Sequence, residues 1–347
     1  MNLVTGASGI LGSYVVAELV KQGEMVVACR QAKSSLLPIE KVFALKFEDW
    51  EEQFKKVEWR ELDLTSLLSI ETALQGIDTV YHCAGFVSFA ASDRSKLFQI
   101  NEQGTANLVN ACLALPGIQF CHVSSIGTLN NSEHIGPLNE SVFWKSTGKE
   151  GYYAISKYNA EREVWRGMEE GLNAVIVNPG VILAPAFWQQ SSLELIHKAY
   201  KGNRFFTAGQ TAYVMADDVA AVMIQLVKQK VFGKRFLVFE NNYTYRAVFE
   251  ALRKGFHYKG RLIEVSESVL KVVAFIERFF SFFIGRDAVL SPSVMRAAFN
   301  QQLYSRENLD NTLKHEFIPL LSGISNLCEI YLKEQPSAPA KSSGSGP

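Results

Sequence analysis

Apolar and polar positions alternate along the first 180 residues in a strand–helix rhythm. The chain opens on Met1-Asn2-Leu3-Val4, passes through Thr5-Gly6-Ala7-Ser8-Gly9-Ile10-Leu11-Gly12, and continues with Val15, Val16, Leu19 and Val20 on one helical face before Gly23 stops it. This predicts strand, glycine turn and helix. Further apolar strands are predicted over residues 24–30, 59–64, 79–83, 119–124 and 173–178, with helices over 66–75, 93–115 and 151–170. Residues 32–56 are polar and mixed, with Phe47, Trp50 and Phe54 at helical spacing, and read as a surface helix and loop. The alternation predicts an α/β fold, a Rossmann-type doubly wound parallel sheet complete by about residue 180.

The remainder is predicted to form a smaller, mostly helical substrate-binding region over 181–212 and 241–334, with a helix at 193–201 and a strand at 235–239. Residues 269–284 (VLKVVAFIERFFSFFI) are the most apolar run. It falls short of the roughly 20 residues a membrane span needs, and Lys271, Glu277 and Arg278 interrupt it. It reads as core packing that caps a pocket, with peripheral membrane contact the lesser reading. Residues 335–347 (QPSAPAKSSGSGP) read as a disordered tail.

Composition narrows the partners. Thirty-five basic residues balance thirty-five acidic ones, so no global field favours nucleic acid or an anionic membrane, and a small-molecule substrate is expected. Five scattered cysteines (Cys29, Cys83, Cys112, Cys121, Cys328) form no CxxC pair. With no leader ahead of the first strand, they suggest reduced thiols in a cytoplasmic protein. No His, Cys and carboxylate group has metal-ligand spacing, so no metal is expected.

The glycine turn is the first candidate for chemistry. Gly6 would allow the tight turn, Gly9 a close approach to a pyrophosphate, and Gly12 close packing of helix on sheet, with phosphates at the helix N-terminus. At the end of the second strand stands Arg30, with Lys33 close behind, where NAD-binding relatives of this fold carry an acidic residue. A guanidinium can pair with a 2′-phosphate, which favours NADP(H) and leaves NAD(H) possible; the competing reading is a solvated surface arginine. Tyr153 and Lys157 are four residues apart on a predicted helix, on one face. A free phenol has a pKa of about 10, and a neighbouring ammonium would pull it toward neutrality for general acid–base work. Ser125 follows the fifth strand, at the sheet edge where ligands bind, and its hydroxyl could polarise a carbonyl.

The residues TGASGILG (5–12), Asp63-Leu64, YHCAG (81–85), NEQGTANLVNAC (101–112), HVSSIGT (122–128), YAISK (153–157) and VNPGVILAP (177–185) resemble those of an extended short-chain dehydrogenase/reductase. The chain is similar to the branch with dihydroflavonol reductases, cinnamoyl-CoA reductases and 3-beta-hydroxysteroid dehydrogenases. The resemblance implies Tyr153 as proton donor and acceptor, Lys157 as its tuning and ribose-binding partner, Ser125 as carbonyl-orienting hydroxyl and Asn101 as a brace. It also implies cofactor contacts from Thr5, Gly6, Ser8, Gly9, Ile10, Leu11, Gly12, Asp63, Leu64, Ala84, Gly85, Ser124, Pro179 and Val181. Asp63 as a plain cap before Thr65 and Ser66, and Asn101 as a structural hydrogen bonder, remain open readings. Residues 213–240 resemble a stretch that returns the chain to the core. A homodimer through the 93–115 and 151–170 helices is expected on resemblance alone.

The reading is an NADP(H)-dependent reductase for a carbonyl on a small apolar or aromatic substrate, with Phe86, Phe89, Phe143, Trp144 and Trp188 as candidate lining. A nucleotide-sugar epimerase using NAD is the alternative. Arg30 disfavours it, while Ile126-Gly127 after Ser125 lacks the acid pair of dehydratases. A non-catalytic NADPH-binding sensor or scaffold is the second alternative, disfavoured by an intact Ser125, Tyr153 and Lys157.

Overall fold

The computed structural model describes residues 1–129, 134–148, 150–188, 193–284 and 290–334. The expected disordered tail at 335–347 lies outside them. β1 (Asn2–Thr5) passes through the glycine turn into α1 (Ile10–Lys21). Gly6 has φ +64°, and a Cβ on Gly12 would lie 2.2 Å from the Gly6 carbonyl oxygen, so any side chain at 12 would push the helix off the turn. Then follow β2 (Val26–Arg30), α2 (Leu37–Lys46), α3 (Trp50–Lys55), β3 (Glu58–Glu61), α4 (Leu67–Ala73) and β4 (Thr79–His82). The next elements are α5 (Arg94–Leu97), a π-helical turn (Phe98–Gln103), α6 (Gly104–Leu113), β5 (Gln119–Val123), α7 (Tyr152–Glu169) and β6 (Asn173–Pro179).

Beyond them come β7 (Val181–Leu183), α8 (Glu194–Tyr200), β8 (Phe205–Phe206), β9 (Gln210–Met215), α9 (Ala216–Lys228) and β10 (Lys234–Val238). The chain ends through β11 (Asn241–Thr244), α10 (Tyr245–Gly255), β12 (Ile263–Glu264), α11 (Glu267–Ile284), α12 (Pro292–Phe299), α13 (Glu307–Thr312) and α14 (Leu320–Glu334).

Seven strands form one sheet in the order β10-β6-β5-β4-β1-β2-β3, and every pairing is parallel. The inner strands are apolar on both faces because both are covered, while the edge strand β3 (Glu58–Glu61) buries none of its residues fully. Along β1, Val4 joins one core with Val15 of α1, Ile39 of α2 and Val219 of α9. Its neighbour Leu3 joins the other, with Ile70 of α4, Leu108 of α6 and Val164 of α7. β10 pairs with β6, so the chain re-enters the main sheet after leaving it. A three-stranded sheet β11-β9-β7 sits beside it, and Tyr331 of α14 centres an aromatic cluster with Trp188, Tyr200 and Phe256 at ring distances of 4.8, 4.9 and 5.5 Å.

Four expectations need correction. The 32–56 segment is two helices rather than one with a loop, and α2 is more than a surface helix: Leu37 and Leu45 face outward but Ile39, Val42 and Phe43 are fully buried, with Phe47 and Phe54 on Phe43 at 5.3 and 5.2 Å. The 93–115 helix is interrupted by the π-helical turn, which carries Asn101 inward. Trp188, read as candidate pocket lining, is buried in the Tyr331 cluster with its indole N–H on Glu334. Finally, of residues 269–277 only Ala274 is buried, while Val269, Val272, Val273, Phe275 and Ile276 are exposed. α11 packs against α12, and this row of residues is exposed among the described residues. No helix among the described residues is long and apolar enough to cross a membrane.

Candidate active site

The C-terminal edge of the sheet gathers the predicted residues. Gly9 is the N-cap of α1 and no side chain caps that end, so the first amides of a twelve-residue helix are left to a ligand. Ser8, Gly9 and Ile10 are half-buried, Leu11 and Gly12 buried. Gly6 packs on Ala84, where a Cβ would come within 2.7 Å of the Ala84 Cα. Backbone N–H groups around a cradle that a Cβ would fill suit a diphosphate, so these residues fit a dinucleotide.

Thr5 is buried, and its hydroxyl accepts from the Ala84 N–H (3.1 Å) and meets His82 Nδ1 (2.8 Å). Thr105 spends its own hydrogen on the Asn101 carbonyl (2.6 Å), so His82 Nε2 must be the donor across its 3.0 Å contact with Thr105. Thr5, His82, Thr105 and Asn101 are thus one chain of hydrogen bonds running from the glycine turn to the π-helical turn.

Arg30 ends β2, and its Nη1 donates to the carbonyls of Ala32 and Ser34 (3.1 Å each). Lys33 on that loop is exposed. Asp63 Oδ1 accepts from both the backbone and the hydroxyl of Thr65, which holds its carboxyl below the ordinary value. The cap of α4 itself is Ser66, whose hydroxyl accepts from the Ser69 N–H. Leu64 is buried against Gly104. Pro179 and Val181 flank Gly180, whose N–H donates to the Val238 carbonyl (3.0 Å).

Ser125 lies close enough to Tyr153 for its hydroxyl to favour the phenolate. Ser125 Oγ also accepts from the Gly127 N–H (3.1 Å), which ties the hydroxyl to its own turn. One helical turn beyond Tyr153, Lys157 is 5% exposed and donates from Nζ to the Val123 carbonyl (2.6 Å). Burial brings its ammonium down to about 8, opposed by Glu161 and Cys83. Tyr153 departs from the expected direction: burial pushes its phenol above the ordinary value, and only the Ser125 hydroxyl works the other way. The phenol is desolvated, while the nearby ammonium is turned onto a carbonyl. Asn101 clamps Phe86, accepting from its N–H (2.7 Å) and donating to its carbonyl (2.9 Å), and reaches Ser156 Oγ (3.0 Å). A Cβ on Gly85 would lie 3.5 Å from Asn101 Oδ1 and 3.8 Å from Lys157 Nζ, so the Gly85 loop runs past both.

Of the aromatic candidates, Phe89 packs its ring on Tyr153 (5.9 Å, edge to face) while remaining 55% exposed. Trp144 stacks on Tyr158 at 4.6 Å, Phe86 lies under Lys96 at 4.1 Å, and Phe143 is exposed. Near the start of α7, Ser293 of α12 would lie 3.2 Å from a Cβ on Gly151. From there α11 and α12 enclose a groove of about 550 Å³ lined by Ala274, Phe275, Leu290, Pro292, Met295 and Phe299, with Lys271 and Arg296 at its margin.

Sequence reasoning missed the group beneath the site. Glu161 is 1% exposed, yet its carboxylate is charged partner to Arg235 of β10 (2.8 Å). It also accepts from Ser124 Oγ (2.6 Å), Asn178 Nδ2 (2.9 Å) and Thr128 Oγ1 (3.0 Å). Ser124 therefore turns its hydroxyl inward, away from the cradle. A readable signal existed: Tyr153, Lys157 and Glu161 recur at i, i+4 and i+8, which sets an acidic residue on the buried face of α7.

A family model for the NAD dependent epimerase/dehydratase family matches residues 2–239. The chain is 30% identical over 259 residues to "Sterol demethylase protein B" of Methylococcus capsulatus, covering 73% of this chain and 74% of the relative. It is 26% identical over 266 residues to dihydroflavonol 4-reductase of Arabidopsis thaliana, covering 72% and 68%. The structure of Thermus thermophilus UDP-glucose 4-epimerase in complex with NAD superposes with a TM-score of 0.71 at 17% identity, covering 96% of this chain and 99% of that one, a likeness of fold. The protein belongs to the NAD dependent epimerase/dehydratase family and is an NAD(P)-dependent oxidoreductase of the extended short-chain dehydrogenase/reductase type.

Proposed function

We propose that the protein reduces an aldehyde or ketone on an apolar or aromatic skeleton to the alcohol, with NADPH as the hydride donor. The observation that carries this reading is Tyr153 beside Ser125, whose hydroxyl favours the phenolate, with the Lys157 ammonium one turn away on α7. In the reductive direction Ser125 and Tyr153 both donate to the carbonyl oxygen. The Tyr153 proton passes to that oxygen as negative charge builds there, and a phenol that burial keeps protonated suits this role. The bound nicotinamide supplies the hydride that reduces the carbonyl carbon. Lys157 would hold the nicotinamide ribose and stabilise the phenolate left behind. Asn101 keeps the Gly85–Phe86 backbone in place along the cofactor.

Arg30 supports NADP(H) over NAD(H): it is a cation at the end of β2, where a carboxylate would repel a 2′-phosphate. Support for an apolar substrate comes from Phe89 on Tyr153 and from the α11–α12 groove. The two relatives named for a sterol and a dihydroflavonol point the same way. The reading includes a homodimer, for which a sedimentation run at micromolar concentration is the check.

The test begins with NADPH and NADH titrations of wild type and Arg30→Glu, followed by a panel of cyclic ketones and aromatic aldehydes. NADPH preference that Arg30→Glu reverses, with turnover lost at least 100-fold in Tyr153→Phe while NADPH still binds, supports the reading. Tightly retained NAD with interconversion of nucleotide sugars would replace it.

A further inference from the structure

We propose that Glu161 is a positioning residue of this site: its buried carboxylate fixes the Ser125 turn against α7 and supplies the counter-charge for Lys157. The inference deepens the reductase reading, because it assigns how the two residues that reading uses are held.

Five donors converge on one carboxylate. Oε2 takes Ser124 Oγ, Asn178 Nδ2 and Thr128 Oγ1, while Oε1 takes Arg235 Nη1 (2.8 Å) and Trp165 Nε1 (3.3 Å). Asn178 Nδ2 also lies 3.1 Å from the Ser125 carbonyl and 2.9 Å from Thr128 Oγ1, its two hydrogens shared among these acceptors and Glu161, and Thr128 Oγ1 lies 2.9 Å from that same carbonyl. The backbone on both sides of the Ser125 hydroxyl is thereby tied to Glu161. Arg235 extends the lock outward, with Nη2 donating to the carbonyls of Glu140 (2.8 Å) and Val142 (2.7 Å). A carboxylate this buried is costly unless donors and a counter-ion surround it, and here they come from the turn after β5, from β6, from α7 and from β10.

Glu161 also stands one turn beyond Lys157 on α7, where its charge favours the ammonium. The other titratable groups facing Lys157 are Tyr153 on α7, His82 and Cys83 at the end of β4, and His122 on β5; burial and the Lys157 charge hold both histidines neutral. Cys83 favours the ammonium, but burial pushes its thiol up to about 12, so near neutral pH Glu161 supplies the counter-charge.

The test reads Lys157 directly, in the full chain without cofactor or substrate. Protein carrying lysine labelled with 13C at Cε is titrated by NMR, and the Lys157 signal is assigned by its loss in Lys157→Arg. Glu161→Gln keeps the volume and removes the charge. The expected result is a Lys157 midpoint lowered by about one pH unit, a tenfold weaker hold on its proton, together with faster amide exchange at Thr128 and Leu129. Glu161→Asp, which keeps the charge at shorter reach, should fall between the two and serves alone if the glutamine variant does not fold. A folded variant with an unmoved Lys157 midpoint overturns the proposal, since loss of packing alone does not weaken an ammonium. The readout needs no turnover, so a moved midpoint in a protein that reduces no carbonyl would remove the reductase reading and leave this one standing.

Discussion

His82 shows how much a single buried side chain is asked to do. It sits in the sheet with both ring nitrogens on threonine hydroxyls, and burial drops its pKa from 6.5 to about 3. Between those values the unfolded chain binds a proton that the folded chain refuses, so stability falls as the pH drops below about 6.5 and goes on falling to about 3. At pH 5 this single group should cost about 2 kcal/mol. Urea unfolding at pH 7 and pH 5 measures it: His82→Gln, which keeps a hydrogen-bonding side chain but cannot titrate, should lose about 2 kcal/mol less on acidification than wild type. An equal loss in both would show that other groups, with His122 the first suspect, carry the acid sensitivity. At this scale Ser125, Tyr153, Lys157 and the three glycines were legible, because each is marked by spacing within one turn or one helix. Arg235 and Asn178 were not, and of Glu161 only its place on the buried face of α7 was, because the meaning of all three lies in contacts between residues 17 to 74 positions apart. The direction of the Tyr153 shift was also hidden, since a neighbouring charge can be seen in a sequence and desolvation cannot.

Elements were easiest to read where the hydrophobic pattern had a single job. The inner strands of the parallel sheet are buried on both faces and appear as plain apolar runs, so five of the six sequence-read strands fell close to their observed places for that reason, while the 59–64 strand came out as the polar edge strand β3 at Glu58–Glu61. α11 illustrates the failure: an apolar run says that a helix dislikes water, but not that the fold has anything with which to cover it. The π-helical turn in the 93–115 helix also left no mark in the hydrophobic pattern, although it aims Asn101 at Phe86 and Ser156. The glycine turn gives the sharpest test at this scale, because its two inner contacts differ. A Cβ on Gly12 would lie 2.2 Å from a backbone oxygen, whereas one on Gly9 would lie 3.2 Å from the same atom. Gly12→Ala should therefore cost about 1–3 kcal/mol of stability as α1 is pushed away from the turn. Gly9→Ala should stay folded and lose NADPH affinity at least tenfold, because the new methyl sits where the helix amides face the ligand. Thermal melts and NADPH titrations of both variants separate the effects; equal melting and equal affinity in the pair would contradict the geometry.

For the whole molecule, one hydrophobic core runs from the sheet into the C-terminal region: Val4, Val15 and Val219 belong to the same cluster as Leu252, Leu320 and Tyr331. Among the described residues, the C-terminal region therefore shows no separate core on which to fold. One polar contact also pins it. Asp218, in the first turn of α9 and buried, accepts from the Ile318 N–H (3.1 Å) and meets His315 Nε2 (3.0 Å), fixing the strand of chain that leads into α14. The carboxylate is at home there, since the N-terminal end of a helix favours negative charge. Removing it leaves a backbone donor without its acceptor, which costs about 1–3 kcal/mol. If the core is truly shared, Asp218→Ala should unfold in one calorimetric transition with Tm lower by about 2–6 °C, and Asp218→Asn, which keeps an acceptor oxygen, should recover part of it. Two transitions, with the C-terminal region melting ahead of the sheet, would mean that the substrate region is a separable unit that α14 merely docks. In that case closure over a substrate would be a domain motion, whereas a single transition would leave only local changes to provide it.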